Sequence, residues 1–292
     1  MRRGLLIVCV SALGLAACAE VPAEAVPTAD LPRDDRRETA RMAWPDLSAV
    51  ALSVVAPDAV DVLHENGVMR LRLSGPGLLM ETGERIASRE IDAPRDLDAT
   101  NGQDLYVADG SRVLRFSAEG RLVQTLSIPS ALAPLATATP TASPGDAVAV
   151  AAGVEGTVYV AEATRSAVQV WREGGLADVW DGLGRPVSLA TRGRTLYVGE
   201  GDVVRVLDTA GQPIRTLRHE VLSRVTSVSL TPDHVVVLGL AEIVLFPVRP
   251  SDSASPRVIP ITGGATLLDA AVLGGRLVVL TADAVHVLGR VD

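Results

Sequence analysis

The chain has 292 residues, a net charge of −8 and 3% aromatic residues, and all 27 of its Lys+Arg cations are arginine. An acidic chain argues against DNA or RNA as partner, because that binding draws on phosphate neutralisation. The absence of lysine excludes a Schiff base and a Walker-type phosphate loop, and the shortage of aromatics leaves Val, Leu, Ile and Ala to build the core.

The chain opens with Arg2 and Arg3 and then the apolar run GLLIVCVSALGLAA, too short to span a bilayer comfortably. The run ends in Leu15-Ala16-Ala17-Cys18, which resembles the bacterial lipobox. That resemblance implies a signal peptide over 1–17 and acylation of Cys18. The position after the cysteine is Ala19 rather than Asp, which by the same resemblance implies the outer membrane. The competing reading is an ordinary signal peptide that happens to contain a cysteine. With Cys9 discarded and Cys18 acylated, the mature chain has no disulfide, thiol nucleophile or cysteine metal site. Residues 18–46 are rich in Ala, Pro and charge, and read as a flexible tether.

From there one phrase recurs six times: a tight turn, then a hydrophobic strand. The turns are Asn66-Gly67, Asn101-Gly102, Glu155-Gly156, Arg192-Gly193, Pro232-Asp233 and Gly274-Gly275. A spacing of about 40 residues with four short strands per unit predicts a β-propeller. The reading is an all-β, six-bladed propeller over 47–292 with four-stranded blades. Blade 1 reads DVLHE, VMRLRLS, LLMET and RIASREI, and blade 2 reads RDLDAT, DLYVAD, RVLRFS and RLVQTLSIP. Blades 3 to 5 follow the same plan. Blade 6 supplies only DAAVL, RLVVLT and AVHVL. A ring left open would expose an unpaired edge, so the N-terminal segment LSAVALSVV, residues 47–55, is expected to pair with Ala284–Leu288 and close it.

The segments PRDLDATNGQDLYVADGSRVLRFSAEG, GTVYVAEATRSAVQVW and RTLYVGEGDVVRVLDTAG resemble NHL-type repeats, in which a Gly turn precedes a Tyr-Val-Ala-Asp strand. The resemblance implies a six-bladed propeller used as a binding platform. Six-bladed propellers also include metal-dependent enzymes of the gluconolactonase type, so the fold alone leaves function open.

The first strand of each blade runs along the channel and the second returns, so the start of one and the end of the other share a face. Asp61, Asp96, Asp146 and Asp269 are read as beginning first strands, and Asp109, Glu162 and Glu200 as ending second strands. These seven carboxylates are expected around one channel mouth, as a face for a basic patch on a partner. Ca²⁺ is the ion such an oxygen cluster would take; otherwise no cofactor is expected. The alternative is that the acids accept hydrogen bonds from loop amides. A gluconolactonase-like metal site would use acidic and Asn side chains in the channel, but the two asparagines, Asn66 and Asn101, both sit in turns. The four histidines, His64, His219, His234 and His286, are scattered. Ser188, Ser227 and Ser229 read as channel-lining polar residues, and Trp171 and Trp180 as packing between blades. The expectation is a monomeric, lipid-anchored envelope scaffold for a protein or peptide partner, with a metal-dependent lactonase as the alternative.

Overall fold

The computed structural model describes residues 40–43, 48–65, 67–74, 77–100, 104–129, 145–249, 255–261 and 266–291. The signal segment, Cys18 and most of the expected tether lie outside them, as do Asn66, Asn101 and Trp44.

Among the described residues, twenty-four strands form six antiparallel sheets of four. In chain order, β1 (Ala40–Ala43) precedes blade 1, which is β2 (Ala49–Ala56), β3 (Ala59–His64), β4 (Gly67–Ser74) and β5 (Gly77–Ala87). Blade 2 is β6 (Pro94–Thr100), β7 (Asp104–Asp109), β8 (Arg112–Phe116) and β9 (Leu122–Ser127). Blade 3 is β10 (Ala147–Ala152), β11 (Val158–Glu162), β12 (Ala167–Arg172) and β13 (Gly175–Trp180). Blade 4 is β14 (Pro186–Arg192), β15 (Thr195–Glu200), β16 (Val203–Leu207) and β17 (Pro213–Arg218). Blade 5 is β18 (Ser227–Leu230), β19 (His234–Leu238), β20 (Glu242–Pro247) and β21 (Arg257–Pro260). Blade 6 is β22 (Asp269–Leu273), β23 (Arg276–Leu280) and β24 (Ala284–Arg290), with β1 as its outer strand.

Position within a blade sets composition. Second strands are covered on both faces and paired on both edges, so β11 (VYVAE) is buried along its whole length. Outer strands keep one wet edge, and in β17 (PIRTLR) only Leu217 is buried. The hairpin turns meet the twist of their strands with left-handed residues: Glu155 (φ 56°) precedes Gly156 (φ 71°), and Gly274 (φ 56°) precedes Gly275 (φ 75°).

The apolar core consists of six clusters, one per interface between neighbouring blades. Val60, Val62 and Leu71 of blade 1 pack on Leu273, Val278 and Val285 of blade 6. Leu63 and Ile86 meet Leu105 and Phe116 between blades 1 and 2. The other four interfaces are built in the same way, so the ring is closed by packing all round. Trp171 lies in the interface of blades 2 and 3. Trp180 lies between blades 3 and 4, where a Cβ on Gly211 would come within 2.7 Å of its indole.

Closure by an N-terminal strand is observed, but the strand is β1 and not residues 47–55. β1 pairs with β24 in the register Ala40↔Val287 to Ala43↔Ala284, and Arg41 reaches Asp283 at 3.3 Å. Residues 49–56 instead form β2, the channel strand of blade 1. The assignment slipped by one strand because β5 is a continuous strand of 11 residues running through Thr82-Gly83. Reading that pair as a turn divides β5 in two and makes blade 1 complete without β2. The closing strand, Ala40–Ala43, therefore lies inside the segment expected to be tether.

Candidate functional site

The six first strands, β2, β6, β10, β14, β18 and β22, line a central cavity of about 680 Å³. Each pairs with its second strand on one edge only, so its other edge presents free backbone groups to the channel. Side chains from neighbouring blades satisfy several of them, and the bonds form a complete ring. Ser53 Oγ donates to Asp98 at 3.2 Å, joining blades 1 and 2. The amides of Val150 and Ala152 donate to Asp96 at 2.9 Å and Asp98 at 2.8 Å, joining blades 2 and 3. Thr191 Oγ1 donates to the Ala152 carbonyl at 2.5 Å, and the Val228 amide donates to Ser188 Oγ at 2.9 Å. Ser227 Oγ donates to Asp269, and Ser229 Oγ donates to the Ala270 carbonyl at 2.7 Å. The Leu52 amide donates to Asp269 at 3.0 Å and joins the last blade to the first.

These carboxyls hold their protons tightly. Burial pushes Asp98 up to about 6, against the opposing hydrogen bonds from Ala152, Ala99 and Ser53. Burial likewise raises Asp269 to about 6. Asp96 is raised well above the carboxylate range, by burial first and by the facing charges of Asp269 and Asp98.

The seven acids expected at one mouth fall into four groups. Asp96 and Asp269 lie inside the channel, as described. Asp109, Glu162 and Glu200 end the second strands β7, β11 and β15 as expected, but they are 3%, 0% and 2% exposed. Each receives amides from the connection that enters its blade. Asp109 accepts from Asp92 at 3.0 Å and Ala93 at 2.5 Å, and from Arg112 Nε at 2.7 Å. Glu162 accepts from the amides of Asp146, Thr164 and Arg165. Glu200 accepts from the Gly184 amide at 2.5 Å and from Arg205. Asp146 sits partly exposed in the connection before β10. Asp61 is a correction that follows from the strand slip. It lies within β3, a second strand, fully buried, and accepts Arg70 Nε at 2.7 Å and Arg70 Nη2 at 3.0 Å.

Ser188, Ser227 and Ser229 line the channel as expected. Asp98 was not singled out, although the Asp96-Leu97-Asp98 spacing puts both acids on one side of β6. None of the channel-lining residues is a histidine. Among the described residues, no group of three or more His, Cys, Asp or Glu could hold a metal ion.

No family model and no curated relative matches this chain. Solved structures do. The WD40 β-propeller domain of Doa1 aligns with a TM-score of 0.60 at 13% identity, covering 87% of this chain and 96% of that one. A catalytically inactive histidine-to-alanine variant of virginiamycin B lyase from Staphylococcus aureus, solved with quinupristin, aligns with a TM-score of 0.62 at 11% identity, covering 86% and 98%. The WD40 domain of Neurospora crassa Pan2 aligns with a TM-score of 0.58 at 10% identity, covering 88% and 96%. At these identities the likeness is one of fold, and the fold it shows is the β-propeller.

Proposed function

We propose that this chain is an NHL-like envelope lipoprotein whose six-bladed propeller is a non-catalytic scaffold for a protein or peptide. One observation carries the reading. Six polar channel side chains, Asp96, Asp98, Asp269, Ser188, Ser227 and Ser229, are engaged in bonds that stitch one blade to the next. A general base or nucleophile needs a lone pair aimed at substrate, and the bonds of these groups are directed into the fold. The neighbouring lyase is catalytically inactive with one histidine replaced by alanine, and among the described residues no histidine lines this channel. The rigid ring suits display, because loops held in fixed positions lose little freedom on binding.

The anchor is the acylated Cys18, and the outer membrane is the proposed site. Replacing Cys18 by Ser in the full chain should move the protein from the membrane fraction to the soluble envelope fraction and abolish palmitate labelling. Photo-crosslinking of the full chain in cells should trap a discrete partner. Turnover of lactone or ester substrates by the purified protein, dependent on a divalent metal, would overthrow the scaffold reading in favour of the lactonase.

A further inference from the structure

Blade 5 departs from its neighbours where the second strand turns into the third. Blades 2, 3 and 4 end their second strands in Asp109, Glu162 and Glu200, each fully provided with donors. In blade 5 that position is Leu238, and the acid is Glu242, at the start of β20. The Gly239 amide donates to the Glu242 carbonyl and closes the turn. A Cβ on residue 239 would collide with Glu242 Oε1 and would come within 3.2 Å of Leu222. Gly239 therefore makes the room into which this carboxylate folds, against the connection that enters blade 5. Glu242 is 7% exposed, and its buried Oε1 has no hydrogen-bond partner among the described residues. The connection amides are used elsewhere: Leu222 donates to the His219 carbonyl, Val225 to Gly201 and Thr226 to Leu238. Two apolar side chains of the same turn and of the connection that carries Leu222 stay in water, Leu240 at 62% and Val221 at 38% exposed.

A buried carboxyl oxygen without a donor is costly in the free protein, and the cost is recovered when a cation pairs with the group. Asp109 and Glu200 show what such a place takes, since each holds an arginine of its own chain. Exposed apolar side chains in the segments around a buried acidic side chain are the make-up of an interaction hot spot. We propose that the Gly239–Glu242 turn of blade 5 is a docking site for a partner peptide that places a basic side chain on Glu242 and apolar side chains on Leu240 and Val221. This deepens the scaffold reading and rests on it.

The test uses the mature full chain in detergent micelles with ¹³C-methyl-labelled Leu and Val. The probes are acetyl-Leu-Arg-Leu-amide and its citrulline counterpart, which keeps the shape and removes the charge. Saturable shifts are expected at the Leu240, Leu222 and Val221 methyls with the arginine peptide. Affinity should be about tenfold weaker or worse for the citrulline peptide and for Glu242→Gln, and clearly weaker for Leu240→Ser. Methyls of blades 1 to 3 should be unmoved in both variants, which reports that they fold. Equal affinity for the two peptides, shifts centred on another blade, or no shifts at all (an acid solvated only by an ordered water) would each overturn the proposal. A discrete cross-linked partner found alongside any of these results would leave the scaffold reading standing and dismiss only this site.

Discussion

The channel ring makes the stability of this fold depend on pH in an unusual direction. Asp98 and Asp269 are raised from 3.8 to about 6 in the folded chain. Between those values the folded state binds more protons than the unfolded state, so stability falls as pH rises from about 4 to about 6. The contribution is fully present below pH 4 and gone above pH 6. One pKa unit corresponds to about 1.36 kcal/mol, so moving from pH 7 to pH 5 should return roughly 1.4 kcal/mol per group, or about 3 kcal/mol for the two. Asp96, shifted in the same direction, adds to this. Denaturant unfolding of the wild type and of an Asp98→Asn, Asp269→Asn variant at pH 7, 6, 5 and 4 reads the effect. The variant should lose the gain between pH 7 and pH 5, apart from a pH-independent cost of about 1 kcal/mol per amide group facing a backbone N–H. If wild type and variant follow the same pH slope, the carboxyls are not desolvated as described and the reasoning fails.

Three further outcomes follow from the packing. Deleting residues 1–39 should leave the melting temperature unchanged, whereas deleting 1–43 should lower it by several degrees, because only the second deletion strips β1 from β24. Equal melting temperatures would deny the closing role of β1. Trp180→Ala should destabilise by about 3–5 kcal/mol through the void left against Gly211, measured by denaturant unfolding; a loss below about 1 kcal/mol would contradict the packing. Arg70→Ala should cost about 3–5 kcal/mol because it removes the bidentate ion pair of the fully buried Asp61, while an Asp61→Asn, Arg70→Met double variant should recover much of the loss; failure to recover would show that Arg70 acts through something other than Asp61.

Blades 2 to 5 and three of the four strands of blade 6 were legible in the sequence because their short strands alternate with tight turns, glycine turns in all but blade 5, so period and turn chemistry agree. Blade 1 was not, for two physical reasons. β5 is long enough to contain a Thr-Gly pair without turning, and the real closing strand, Ala-Arg-Met-Ala, is too short and too mixed to stand out from the tether around it. The acids ending β7, β11 and β15 were placed on their strands correctly. Their engagement by loop amides was one of two readings that the residue types allowed, since a carboxylate at a turn serves a partner or the backbone equally well on paper. The inter-blade bonds of Asp96, Asp98 and Asp269 join residues as far apart as 217 positions, between Leu52 and Asp269. No local pattern encodes such a pairing; only the closed ring brings the two strands together. Glu242 escaped notice because the acid moved from the end of a second strand to the start of a third.

Asp96, Asp98, Asp269 and Ser188 of the channel lining hold neighbouring blades together. Native-state hydrogen exchange of the Leu52, Val150, Ala152 and Val228 amides tests it most directly. All four lie on strand edges that face the channel, yet each has a side-chain acceptor from a neighbouring blade. Protection factors comparable to those of the buried second-strand amides are expected. Exchange as fast as that of an unbonded edge amide would mean that the carboxyls and hydroxyls are free, and the channel would then have to be reconsidered as a place for chemistry.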